Sequence, residues 1–316
     1  MSLNHKFQFE HESTLSLNEI KQMYDGFINP GLSKLYQFFS FGKEIFIKAE
    51  GMYMYTREGK KILDFTGGLG VLNHGHNHPR ILEARIKFQK EKRVEVHKVI
   101  FSPYQAMLAK KLASLLPADL NKSFFPNSGA EANEGALKLA YKYHNGERDY
   151  VLHADRAFHG KLIASGSLGG NYAEEDGLFQ KLPYISSFEY NNIESLKTKI
   201  KYLKKNSKSN VYALIIEPFS ASCMYGCSES FLMEVREICT KESIILIFDE
   251  VYCGWAKTGY LFTPINPNSL SEKILKALNL DDNTLKTIGI EGRKNIVNKF
   301  NVEKMCFSTY SEYKKL

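Results

Sequence analysis

An unbroken apolar run, Ile244 to Phe248, stops at two consecutive carboxylates, Asp249 and Glu250. A run of that length with no helical stripe reads as a strand buried on both faces, as strands are inside a parallel sheet. Such a strand needs helices covering the sheet, so the segment points to an α/β fold. In α/β sheets, ligands lie outside the carboxyl ends of the strands. A carboxylate at that position therefore faces a crevice. The alternative is an ordinary strand end followed by a solvated acidic turn.

The rest of the chain supplies the other strands and the crossovers. Strand signals fall at Lys122-Ser-Phe-Phe125, Tyr150-Val-Leu-His153 and Val211–Ile216. Helical patterns fall at 79–92, 104–116, 130–144, 192–204 and 229–241. Their alternation predicts βαβ units and a mainly parallel sheet. Ahead of them, Glu44 to Phe65 reads as short strands with turns at Gly51 and Gly59, after a helical or loosely ordered lead-in. Gly67, Gly68 and Gly70 then mark a loop. After Phe262 the strand signals stop. Ser269, Asp281 or Asp282, and Asn301 can each cap a helix, so 263–316 reads as an all-helical tail. The expected organisation is an N-terminal segment over 1–70, a large domain over 71–262 and the tail over 263–316.

Composition removes several function classes. The net charge of +7 on 316 residues is modest and its lysines are scattered, which argues against a nucleic-acid surface. No apolar run reaches bilayer length, and Met1 to Asn18 is polar. The expectation is a cytoplasmic protein without membrane or nucleic-acid partners. Five cysteines, odd in number and irregularly spaced, read as reduced thiols. Cys223 and Cys227 have no second ligand pair at metal spacing. His74, His76 and His78 look like a metal cluster, but Gly75, Asn77 and Pro79 make a turn into a helix the better reading. No metal site is expected.

Four motifs carry chemistry. Ser128, Gly129 and Ala130 precede a helical pattern, where free N–H groups and the helix dipole suit a phosphate. A plain capped helix start explains the same residues. Phe158-His159-Gly160 follows the strand around Val151 and could offer a ring face to a planar ligand, or simply pack in the core. Glu217-Pro218 ends the next strand, and Asp249-Glu250-Val251 the one after. Three strand ends with ligand-type groups, beside a phosphate-type helix start, make coincidence the weaker account.

In this order the motifs resemble the class-III aminotransferases, pyridoxal-phosphate enzymes of fold type I. The likeness runs over about residues 40–262. It rests on Gly75-His-Asn-His-Pro79, Ser128-Gly-Ala-Glu-Ala-Asn133, Phe158-His-Gly160, Glu217-Pro218 and, most specifically, Asp249-Glu-Val-Tyr-Cys-Gly-Trp-Ala-Lys-Thr-Gly259. Lys257 stands where the family usually has Arg, and Phe158 where it often has Tyr. The resemblance implies pyridoxal 5'-phosphate as cofactor. Asp249 would pair with the ring nitrogen, with Val251 and Phe158 on the two ring faces. Ser128, Gly129 and Ala130 would hold the phosphate, and His159 and Glu217 would complete the pocket. It implies a small-molecule amino donor, a carbonyl acceptor and a homodimer.

Three parts of the family pattern are not matched: the lysine segment, the small C-terminal domain, and the segment by which a neighbouring subunit adds to the phosphate site. The family carries its Schiff-base lysine in a Ser-Lys-Ala-Leu segment followed by glycines. Here Lys276-Ala277-Leu278 is the only imitation, and Asn279 follows it. Lys276 is the candidate. The tail is otherwise similar, from Ser271 to Asn279 and onward to Leu316, to the C-terminal helices of two-Rossmann-domain glycosyltransferases. The expectation is thus a truncated aminotransferase large domain, fused to a foreign tail and impaired in transamination. The alternatives are a non-catalytic cofactor-binding or interaction remnant, and a glycosyltransferase-related fusion product.

Overall fold

The structure is a computed structural model that describes residues 14–38, 40–95, 99–116, 120–170, 181–206 and 210–254. The tail and Lys276 lie outside the described residues, as do Lys257 and Gly259. The chain forms two compact units that divide between residues 97 and 98.

In the first unit, Ser16 caps helix α1 (Leu17–Phe27), and Glu19 returns the bond to the Ser16 backbone. Helix α2 (Pro30–Phe38) follows. Strands β1 (Phe46–Glu50), β2 (Tyr53–Thr56) and β3 (Lys61–Leu63) form an antiparallel sheet in that order. The histidine segment is a turn. His76 pairs with Gly51 through two backbone bonds, and its Nε2 lies 2.8 Å from Asp64 Oδ2. Pro79 then opens helix α3 (Pro79–Lys90), in the first-turn position where its missing N–H costs nothing.

The second unit starts with helix α4 (Pro103–Ala113), capped by Ser102. Ser128 caps helix α5 (Gly129–Tyr143). Strand β4 (Tyr150–Ala154), the short helix α6 (Ile163–Ser167), strand β5 (Ile185–Phe188) and helix α7 (Ile193–Asn206) come next. Strand β6 (Val211–Ile216), a small hairpin of β7 (Phe219–Ser220) and β8 (Tyr225–Gly226), helix α8 (Glu229–Lys241) and strand β9 (Ile245–Phe248) complete it. The main sheet has the order β5-β4-β6-β9, and every pair is parallel.

Alternation along the strands sends side chains to opposite faces. Leu152, Leu214 and Ile216 pack with Leu196 and Ile200 of α7 and Phe231 and Val235 of α8. Val151, Ala213 and Ile215 pack on the other face with Leu137 and Ala140 of α5 and with Leu168. Helices therefore cover both faces, and the apolar runs of β4 and β6 are the consequence. At about 25 cal/mol per Å² of apolar area removed from water, this double layer is the main stabilising term.

Two strand expectations need correction. Lys122 to Phe125 has strand-like residues but is irregular, and among the described residues no neighbouring strand takes up its backbone groups. The run ending at Phe248 is a strand, yet only half-buried, not buried on both faces. Among the described residues β9 is an edge strand that pairs with β6 alone.

Candidate functional site

The carboxyl ends of β4, β6 and β9 lie side by side and deliver the segment 157–160, Glu217 and Asp249 to one edge of the sheet. The N-terminus of α5 is brought to the same place by small residues. A Cβ on Gly160 would stand 2.5 Å from Ala130 Cβ, and one on Gly129 would stand 3.2 Å from Val251 Cγ2. Gly160 has φ +127°, a conformation that side-chain-bearing residues rarely adopt.

Asp249 is the centre of the arrangement. Its side chain is 5% exposed and that of His159 is fully buried. Asp249 Oδ2 accepts from Asn133 Nδ2 at 2.9 Å, and His159 Nδ1 lies 2.9 Å from the same oxygen. Oδ1 accepts the Val251 N–H at 3.1 Å. Burial alone would raise the Asp249 pKa. The His159 bond and charge, the Asn133 bond and the Val251 N–H together outweigh it and hold the carboxyl below its ordinary range. Asp249 is thus an ionised carboxylate in a water-poor position.

Glu217 behaves in the opposite sense. It is buried, and burial pushes its carboxyl above the ordinary range despite two backbone donors. Those donors are Phe158 N at 2.9 Å and Ala221 N at 3.0 Å, one on each oxygen. Glu217 therefore staples the Phe158 backbone to the turn after β6. Two neighbouring carboxyls with pKa values displaced in opposite directions are a feature of functional sites.

At the helix start, Ser128 Oγ accepts the Glu131 N–H at 3.2 Å, so the hydroxyl is the helix cap. Glu131 Oε2 in turn accepts the Asn127 N–H at 2.7 Å. The N–H groups of Gly129 and Ala130 sit in the first turn, ahead of any intrahelical carbonyl. Phe158 and Val251 are 48% and 47% exposed, which leaves both side chains able to meet a ligand.

The structure thus brings together Ser128, Gly129, Ala130, Phe158, His159, Glu217, Asp249 and Val251. It adds Asn133, the last residue of the Ser128–Asn133 motif, to which the sequence assigns no role of its own. Asn133 lies four positions after Gly129 and is buried. A polar amide one turn inside a helix, with Ala132 before it and four positions after the helix-start Gly129, is the signal that could have found it.

Comparison with known proteins gives a consistent picture. The family profile described as Aminotransferase class-III matches residues 42–266. The chain is 34% identical over 279 residues to an acetylornithine aminotransferase from Methanocaldococcus jannaschii, covering 79% of this chain and 68% of that protein. It is 34% identical over 234 residues to one from Shewanella oneidensis, covering 71% of this chain and 55% of that protein. Among solved structures, an (S)-enantioselective omega-transaminase from Thermomicrobium roseum superposes with TM-score 0.67 at 27% identity, over 79% of this chain and 60% of that one. The fold is also that of a taurine:2-oxoglutarate aminotransferase from Bifidobacterium kashiwanohense, solved with PLP and glutamate, with TM-score 0.66 over 80% of this chain and 59% of that one. The chain spans about half of the length of most of the curated relatives it matches.

Proposed function

We propose, from the premise that the chain belongs to the class-III aminotransferases, that its second unit is the cofactor-holding part of a site for amino-group transfer. The cofactor of the family is pyridoxal phosphate. The donor set fits it. A buried, ionised Asp249 matches a protonated ring nitrogen, and the Gly129 and Ala130 N–H groups match a phosphate dianion. The observation that carries the reading is Asp249 Oδ1. Oδ2 already accepts from Asn133 and His159, whereas Oδ1 accepts one N–H and has acceptor capacity left.

In this reading Asp249 keeps a proton on the ring nitrogen, and Gly129 and Ala130 hold the phosphate with Ser128 fixing the helix start. Phe158 and Val251 cover the ring faces. His159 holds Asp249 in place, and Glu217 holds the Phe158 backbone. The bound cofactor supplies an electron sink for loss of a substrate Cα proton. The partners are an amino donor and a carbonyl acceptor. Acetylornithine, named in the curated relatives, is the first donor to assay.

Proton shuttling in the family needs a lysine, and residues 267–316 lie beyond the matching profile. Lys276 does not stand in the family's glycine-rich surroundings. We therefore read the chain as binding the cofactor non-covalently, with impaired amino-group transfer. Equilibrium dialysis with pyridoxal phosphate, followed by borohydride reduction and peptide mapping, tests this. Saturable binding without a stoichiometric lysine adduct is expected. A stable adduct at Lys276 overturns the impairment, and absence of binding overturns the cofactor site.

A further inference from the structure

We propose that Asn133 is a positioning residue, fixing the Asp249 carboxylate and tying it to the backbone that carries Phe158 and His159. The proposal rests on the cofactor reading above, and goes beyond it in assigning a residue to the site.

Asn133 Nδ2 donates to His159 O at 2.8 Å and to Asp249 Oδ2 at 2.9 Å. Both partners are acceptors only, so the amide nitrogen must face them and the opposite amide orientation is excluded. The two N–H bonds of one side chain thus join three elements, namely α5, the segment after β4 and the end of β9. They span 26 and 116 positions of the chain. The same helix turn carries Gly129 and Ala130, so Asn133 couples the phosphate end of the site to its ring end.

Asp249 faces His159, Glu217, Glu250 and the Cys253 thiol. Of these His159 is the one hydrogen-bonded to it, and the Asp249 charge helps raise the pKa of Glu217, Glu250 and the Cys253 thiol. Its donors are Asn133, His159 and the Val251 N–H. Loss of one of three donors to a buried carboxylate leaves the burial cost less opposed. Asn133 also sets which oxygen remains open, because its bond to Oδ2 completes that atom's pairing with His159.

Two variants of the full chain, Asn133→Ala and Asn133→Asp, test the proposal with two readouts. The first needs no cofactor: the Asp249 carboxyl carbon is followed by NMR against pH in protein labelled at aspartate. Its midpoint rises in Asn133→Ala; in Asn133→Asp the two facing carboxyls titrate as a pair whose upper midpoint lies above that of Asp249 in the unsubstituted chain. The second readout compares affinity for pyridoxal phosphate with that for an analogue carrying carbon in place of the ring nitrogen. Pyridoxal phosphate binding falls about tenfold or more, while binding of the analogue stays as in the unsubstituted chain. An unmoved midpoint overturns the proposal. Equal losses for both ligands also overturn it, since that is what a merely structural asparagine would give. If the unsubstituted chain binds neither ligand while the midpoint still rises, the cofactor reading fails and the positioning of Asp249 by Asn133 stands. If Asn133→Ala does not fold, the near-isosteric Asn133→Asp carries both readouts.

Discussion

Gly160 and Ala130 approach so closely that a Cβ on Gly160 would stand 2.5 Å from the Ala130 Cβ. Together they seat the phosphate-type helix start against the segment that carries Phe158 and His159. Gly160→Ala introduces this clash and places a side chain at φ +127°. It should cost at least about 2 kcal/mol of stability, read as a lower urea midpoint. Pyridoxal phosphate affinity should fall with it, because the two halves of the site are forced apart.

Phe158→Ala should behave differently. Its ring is about half exposed, so stability should change by no more than about 0.5 kcal/mol. Affinity for pyridoxal phosphate should nevertheless drop severalfold in a fluorescence titration, because one ring face loses its cover. A stability loss as large as that of Gly160→Ala would show that Phe158 is a core residue and not a ligand contact.

The depressed pKa of Asp249 makes stability depend on acid. A carboxyl whose folded pKa lies below its unfolded value, 3.8 for aspartate, stabilises the protein above that value. The contribution disappears as pH falls through the folded pKa. Urea unfolding of the unsubstituted chain should therefore weaken as pH is lowered through and below the ordinary carboxylate range. Asp249→Asn should be less stable at neutral pH and show a shallower acid limb. Equal acid limbs in the two proteins would remove Asp249 as a source of acid sensitivity.

Tyr190 offers a test of the support beneath Glu217. Its hydroxyl lies 3.2 Å from both Glu217 O and Tyr225 O, and the side chain is buried. Tyr190→Phe leaves buried carbonyls short of a donor and should cost about 1–2 kcal/mol, measured by urea unfolding. Because Glu217 holds the Phe158 backbone, cofactor affinity should fall modestly as well.

Much of this was legible in the chain itself. Helix α5 announces itself by Ser128 with Glu131 three positions on, and β4 and β6 by their apolar runs. The site residues at three strand ends follow once those strands are recognised as parallel neighbours. Other features depend on partners that no local pattern records. Ile185-Ser-Ser-Phe188 is a strand because β4 accepts it, whereas Lys122 to Phe125 has the right residues and, among the described residues, no acceptor. The two-residue strands of the β7–β8 hairpin sit beside Glu217, whose Oε1 takes the Ala221 N–H within its turn. Asn133 stands in a legible motif, but its role is not local, since its partner Asp249 lies 116 positions away.

That separation has a kinetic consequence. Asp249 directly follows β9, the last of the described strands of the sheet, and it binds partners 90 and 116 positions earlier. Strands β5, β4 and β6 can associate on the ribosome before residue 249 exists. Contacts across such long loops form slowly, because the chain must be closed before they reward it. Docking of β9 on β6 is therefore the step that brings Asp249 to Asn133 and His159. In refolding, cofactor capture should follow the slowest phase, and recovery of binding should lag behind recovery of helical signal.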